Sequence, residues 1–120
     1  MYRIDNKHFP CNTSLTMKYI GGKWKAVIII HLIEKKRYSE LRRQCPLITE
    51  RTLSLQLKEL EQDGLVKRTV YTQKPPLKVD YELTEFGKTL IPLLHAIAQW
   101  GEQTGKTDKR ITVANPALGV

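Results

Sequence analysis

Two cysteines, Cys11 and Cys45, are all that this 120-residue chain carries. That is too few for a disulfide framework and fits a reducing compartment. No apolar run is long enough to span a bilayer, and the N-terminus is too polar for a secretory signal, so a cytoplasmic location is expected. The three histidines, His8, His31 and His95, share no metal-ligand spacing with one another or with the cysteines. His31 reads as a core histidine with its ring satisfied. Gly21-Gly22 is a helix break and not a phosphate-cradling loop. No Ser/His/Asp arrangement can be assembled. An enzyme, a metal site and a cofactor are therefore not expected, and neither is a membrane partner.

What the chain does have is positive charge. Its formal net charge is +8, from 20 basic and 12 acidic residues. Residues 21–74 hold 12 of the basic and 6 of the acidic residues, whereas residues 75–120 hold 5 of each. A protein that neutralises phosphates needs such a concentrated footprint, because counterion release drives most of its affinity. Apolar residues at 41% and charged residues at 27% fit one globular domain of modest core. Residues 1–10 and 105–120 are expected to be flexible.

The stretch from Tyr38 to Tyr81 organises the rest. Ser39 is a good N-cap for a short helix that Pro46 must end, since proline disfavours helix in the residue before it. Leu47 and Ile48 form an apolar turn. Thr49 then caps a helix of about three turns that stops at Asp63-Gly64. Leu53, Leu57 and Leu60 make its core stripe. At about 100° per residue the opposite face carries Arg51, Leu55, Lys58 and Gln62. Val66–Thr72 and Leu77–Leu83 read as strands, with Leu77, Val79, Tyr81 and Leu83 on one face of the second and Lys78, Asp80 and Glu82 on the other. Gln73-Lys74-Pro75-Pro76 joins them as a stiff tip. Helix, turn, helix and a two-stranded β-wing, flanked by extra N- and C-terminal helices, give an α+β, mainly α, winged helix-turn-helix.

The flanks read as support. Residues 1–12 show no period. Asn12, Thr13 and Ser14 are alternative N-caps for a short helix that Gly21 and Gly22 stop. A central helix of about Lys23–Lys35, apolar around most of its girth, is closed by the cations Lys35, Lys36 and Arg37, which could also touch phosphate. Thr84 caps a last helix with Phe86, Leu90, Leu93, Leu94, Ile97 and Trp100 on one face. Pro92 marks a kink or a helix start within it. One small domain has little surface to cover that face, so a homodimer partner is expected there. After Gly101 the tail is polar and reads as frayed.

In these residues the chain resembles the HxlR family of bacterial winged-helix regulators. The carriers are Cys11 ahead of Gly21-Gly22-Lys23-Trp24-Lys25, then Tyr38-Ser39-Glu40-Leu41-Arg42-Arg43, then Leu57-Lys58-Glu59-Leu60-Glu61-Gln62-Asp63-Gly64-Leu65-Val66. Tyr81-Glu82-Leu83-Thr84-Glu85-Phe86-Gly87 and Trp100-Gly101 complete them, so the likeness covers about Cys11 to Trp100. It implies a homodimer paired through its terminal helices on a roughly palindromic operator. It also implies that Cys11 senses electrophiles, quinones or oxidants. The chain departs from the family pattern at Asn12, where proline commonly follows the cysteine, and at Leu55, a position more often polar.

Double-stranded DNA is thus the expected partner, with Thr49–Lys58 in the major groove. Arg51 suits guanine and Gln56 suits adenine, while Leu55 can contact a thymine methyl. Thr49 and Thr52 open that helix. Lys58, Arg42, Arg43, Lys74 and Lys78 are assigned to phosphates, with a solvated basic face the alternative for each lysine. Cys11 sits just before a helix N-terminus, where free N–H groups favour the thiolate. Cys45 ends a helix and reads as a small core residue. Two other functions remain open: control by a small ligand at the dimer seam, and a winged helix that docks a protein.

Overall fold

The computed structural model describes residues 1–114. In chain order it runs β1 (Tyr2–Ile4), β2 (Lys7–Phe9), α1 (Asn12–Ile20), α2 (Lys25–His31), β3 (Lys36–Arg37), α3 (Tyr38–Gln44), α4 (Glu50–Gln62), β4 (Val66–Val70), β5 (Val79–Leu83), α5 (Glu85–Lys88) and α6 (Ile91–Thr107). The helix-turn-helix is α3–α4, and β4–β5 form the wing as an antiparallel pair with Val66 opposite Leu83 and Arg68 opposite Tyr81.

Helix α2 lies at the centre. Its Ile28 and Ile29, with Leu32 just beyond, are fully buried against Leu41 of α3, Leu53, Leu57 and Leu60 of α4, and Leu94 of α6. Each of these buried aliphatic side chains is worth roughly 1.5–3 kcal/mol over an exposed one. Ile48, in the turn between α3 and α4, plugs the same core. The α4 stripe is therefore what fixes which of its faces is left outside. Helix α4 stops where Gly64 takes φ 76 and Leu65 N–H reaches back to the Leu60 carbonyl at 3.0 Å. That left-handed turn sends Leu65 into the core.

Several elements differ from the sequence reading. Residues 2–9, which show no period in the sequence, form a hairpin in which Tyr2 pairs Phe9 and Asp5 takes φ 53. Asp5-Asn6 is two-residue turn chemistry. The central helix is shorter than Lys23–Lys35, ending at His31. Lys36 and Arg37 instead form a short strand that pairs with Tyr81 and Asp80, so the wing pair extends to a three-stranded sheet of order β3-β5-β4. Pairing with β5 gives these residues main-chain partners that a longer helix would otherwise supply. Arg37, not Ser39, precedes the first turn of α3, and its N–H donates to Glu40 Oε1 at 3.1 Å. Thr84 caps only the four-residue α5, and a second helix begins at Ile91 with Pro92 in its first turn. That helix continues past Gly101 to Thr107. The end of the tail, residues 115–120, lies outside the described residues.

Candidate nucleic-acid interface

The turn that aims α4 is built from main-chain bonds and one guanidinium. Cys45 N–H closes α3 on the Leu41 carbonyl at 3.0 Å, and Ile48 N–H follows on the Cys45 carbonyl at 3.2 Å. Arg42 Nη1 donates to the Ile48 carbonyl at 2.9 Å. Arg42 is therefore half-buried and drawn into the turn, while its neighbour Arg43 is exposed. Thr49 then caps α4 as its sequence position predicts. Its hydroxyl oxygen accepts Thr52 N–H at 3.2 Å and donates to Thr52 Oγ1 at 2.9 Å. Both threonine hydroxyls thus serve the helix start.

With Leu53, Leu57 and Leu60 inside, α4 presents Arg51, Leu55 and Lys58 to solvent. Leu55 is 53% exposed, so this face carries an apolar side chain at its centre. Gln56 is half-buried on the flank. The phenol of Tyr38 and the hydroxyl of Ser54 lie 3.2 Å apart, which ties α3 to α4 beside this face.

At the wing, Tyr71 N–H donates to the Lys78 carbonyl at 2.9 Å, and the Thr72 hydroxyl bridges the Pro76 carbonyl and Lys78 N–H at 3.1 Å each. These bonds close the tip and hold Lys74 and Lys78 in the open. Arg43, Arg51, Lys58, Lys74 and Lys78 take no part in an ion pair among the described residues. Unpaired, exposed cations on the turn, the helix and the wing are what a phosphate backbone can recruit.

The cluster Lys35-Lys36-Arg37 is differently placed. Asp80 is only 8% exposed. It lies 3.4 Å from Arg37 Nε and 3.8 Å from Lys35 Nζ. Lys36 Nζ lies 3.8 Å from Glu34. These cations neutralise carboxylates on this chain, so they are poor phosphate ligands. The sequence reading missed Arg68. It is exposed on β4 and lines, with Tyr38, Glu50, Ser54 and Tyr81, a cleft of about 380 Å³ between α4 and the sheet. Its register opposite Tyr81 places it there, a signal that strand pairing alone supplies.

The two thiols diverge. Cys11 is exposed and is itself the N-cap of α1, where the sequence offered Asn12, Thr13 or Ser14. Its Sγ accepts Ser14 N–H at 3.5 Å, and Cys11 N–H donates to Ser14 Oγ at 3.1 Å. Ser14's backbone N–H, then its hydroxyl, hold the Cys11 thiol below the usual cysteine range. Cys45 is buried, and burial pushes its thiol up. His31 is half-buried and not fully in the core, with Nδ1 3.2 Å from Gln44 Oε1.

Away from this face, α6 exposes Leu93, Ile97 and Trp100, the last 70% accessible. A mainly apolar groove of about 680 Å³ runs between α2 and α6, lined by Ala26, Val27, Ile30, Ile97 and Ala98 among others. Among the described residues no helix is long and apolar enough to cross a membrane.

A family model described as HxlR-like helix-turn-helix matches residues 19–109, from the end of α1 through α6. The chain belongs to this family. Over 93 residues it is 55% identical to the HTH-type transcriptional regulator YybR of Bacillus subtilis (strain 168), covering 77% of this chain and 74% of YybR. Among solved structures, the redox regulator HypR in its oxidised form matches with a TM-score of 0.71 at 52% identity, over 78% of this chain and 96% of HypR. The reduced form of the transcriptional regulator YodB from B. subtilis matches with a TM-score of 0.65 at 31% identity, over 85% and 98% of the two chains. YodB has also been solved diamide-treated and quinone-bound. The HxlR-like match takes in the turn, α4 and the wing; it begins after Cys11.

Proposed function

We propose that this HxlR-like chain is a sequence-specific, double-stranded DNA-binding transcriptional regulator, homodimeric on a palindromic operator and switched through Cys11. The observation that carries the reading is the outer face of α4, where Arg51, Leu55 and Lys58 stand clear of the core stripe. Arg51 reads guanine, Leu55 contacts a thymine methyl, and Gln56 reaches adenine from the flank. Thr49 and Thr52 set the helix start against the backbone. Lys58, Arg43, Lys74 and Lys78 hold phosphates, and Arg42 braces the turn that carries them. The apolar face of α6 is covered by a second copy, which sets half-sites about 34–36 Å apart or a multiple of that. No catalytic step is part of this role.

Control by an oxidant or electrophile is supported by the exposed, capped Cys11, whose thiolate Ser14 favours. The names of HypR and YodB as a redox regulator and a diamide- or quinone-treated regulator point the same way. The test is binding of the purified protein to DNA from its own upstream region, reduced and then treated with diamide or a quinone. Specific binding that diamide abolishes and a thiol restores is the expected result. Arg51→Ala should lose discrimination, by roughly 1–3 kcal/mol at one base pair. Equal affinity for specific and random duplexes would overturn the DNA-reading role; a full oxidant response in Cys11→Ser would overturn the switch alone. The α2–α6 groove favours a second reading, control by a small apolar ligand at the dimer seam. It requires Cys11→Ser to keep its effector response.

A further inference from the structure

Helix α4 has no basic residue in its own last turn. Its C-terminal carbonyls and its C-cap, Asp63, therefore concentrate negative charge at one point. The cation that answers it comes from another helix. Lys18, in the last turn of α1, places Nζ 2.5 Å from Asp63 Oδ1 across 45 residues of sequence. Both side chains are largely shielded, at 22% and 17% exposure, so the pair is screened less than a surface pair. Lys18 Nζ also lies 4.7 Å from the centre of the Tyr19 ring, and Tyr19 packs edge-on against Phe86 at 5.4 Å. The lysine is thus held on two sides. The opposite end of α1, seven positions before Lys18 in a helix of nine residues, is the reciprocal cap between Cys11 and Ser14.

We propose that Lys18 is a positioning residue for α4: through Asp63 it ties the end of the DNA-reading helix to α1, so that the Cys11 cap and the seat of α4 are coupled within one protomer. This rests on the reading of α4 and Cys11 given above. An intact cap keeps the first turn of α1 closed. When the sulfur is alkylated it can no longer carry the thiolate charge and bears a bulky group, so it becomes a weaker and more crowded acceptor for Ser14 N–H. A helix this short has little reserve against fraying from one end. Lys18 then no longer holds its place, and the C-terminal turn of α4 loses its counter-charge. Lys25 Nζ, 3.0 Å from Glu59 Oε2, ties α4 to α2 independently of Cys11. Coupling through α1 is therefore carried by Lys18 alone of these two lysines.

The full chain is treated with N-ethylmaleimide. The Cys11 thiolate adds across the maleimide double bond to form a C–S bond, and the adjacent ring carbon takes a proton from water. Hydrogen exchange is followed without DNA at the amides of Asp63, Gly64 and Leu65, which close the end of α4. Alkylation should speed their exchange at least about threefold, an effect absent in Cys11→Ser. In Lys18→Met these amides should already exchange faster, and alkylation should add nothing. Lys18→Arg, which keeps the charge, should restore the response and guards against a merely unfolded Lys18→Met protein. Unchanged exchange in the alkylated native sequence, or an equal change in Lys18→Met, would overturn the coupling. DNA release is read in parallel: release without an exchange change overturns the coupling and leaves the switch, whereas an exchange change without release does the reverse.

Discussion

Arg42 Nη1 donates to the carbonyl of Ile48 at 2.9 Å, so one of two adjacent arginines belongs to the fold of the turn and the other faces outward. Ile48 fills the core directly before the Thr49 cap. That bond braces the turn from which α4 starts, beside the main-chain bonds of Cys45 and Ile48.

Arg42→Gln and Arg43→Gln should therefore fail differently. In the proposed complex Arg43→Gln would remove one phosphate contact, and it should flatten the salt dependence of log K by about 0.9 per protomer, with thermal stability unchanged. Arg42→Gln should lower stability by about 1 kcal/mol, the order of one hydrogen bond. It should weaken DNA binding with little change in salt slope. Fluorescence anisotropy over a salt series, beside thermal melts, separates the two.

Gly87 marks where α5 presses on the end of the helix-turn-helix unit. A Cβ there would meet the Leu65 carbonyl oxygen at 2.1 Å, the same oxygen that accepts Thr84 N–H at 3.0 Å. Gly87→Ala should destabilise by roughly 1–3 kcal/mol, as overpacking against backbone does. Gly105 in α6 has open space around it. Gly105→Ala should be neutral or raise stability by up to about 1 kcal/mol. Urea midpoints at constant m-value test both.

The alkylation rate of Cys11 should rise with pH and reach its midpoint below that of free cysteine, because Ser14 lowers the pKa of this thiol. Ser14→Ala keeps the backbone N–H and removes the hydroxyl, so the midpoint should move up part of the way. The sign for stability follows. A depressed folded-state pKa means that the thiolate cap stabilises the protein above the unfolded-state pKa, and that this contribution is lost as pH falls through the folded value. Cys45 should stay unlabelled until the protein unfolds, since it is buried with a raised pKa. Mass spectrometry of a maleimide time course at several pH values checks each statement.

Trp100 offers the most exposed large side chain of α6. Trp100→Asp should leave the monomer fold intact, because Trp100 is 70% exposed, and should shift the proposed dimer to monomer in sedimentation velocity. Affinity for a two-half-site duplex should fall far more than affinity for a single half-site. A dimer that survives Trp100→Asp would place the seam elsewhere.

Much of the candidate DNA-facing surface is legible in the sequence. Thr49, Leu53, Leu57 and Leu60 act through a hydroxyl cap and a helical period, both properties of neighbouring residues. Pro46 stopping α3 and Gly64 stopping α4 are local as well. The phase of that leucine stripe placed Arg51, Leu55 and Lys58 outside and Gln56 on the flank, as the structure has them. The Asp5-Asn6 turn of the first hairpin is local as well, but strands of three residues each are too short to show a period.

The remainder depended on distance in sequence. Nothing around Lys36 announces that two residues will pair with β5, some forty positions on, and so end α2 early. Asp80 alternates like a solvent-facing residue, yet Arg37 and Lys35 close over it, and this withdraws from the phosphate face a cluster that its composition had offered. Arg42 and Arg43 are chemically alike, and only the packing of Ile48 separates a brace from a free cation. Periodicity and caps, being local, determined which segments are helices and which face of α4 is free. Strand pairing, burial and the ion pair between Lys18 and Asp63 decided which charges remain available and what holds that face in place, because those interactions exist only once residues far apart in the chain share one core.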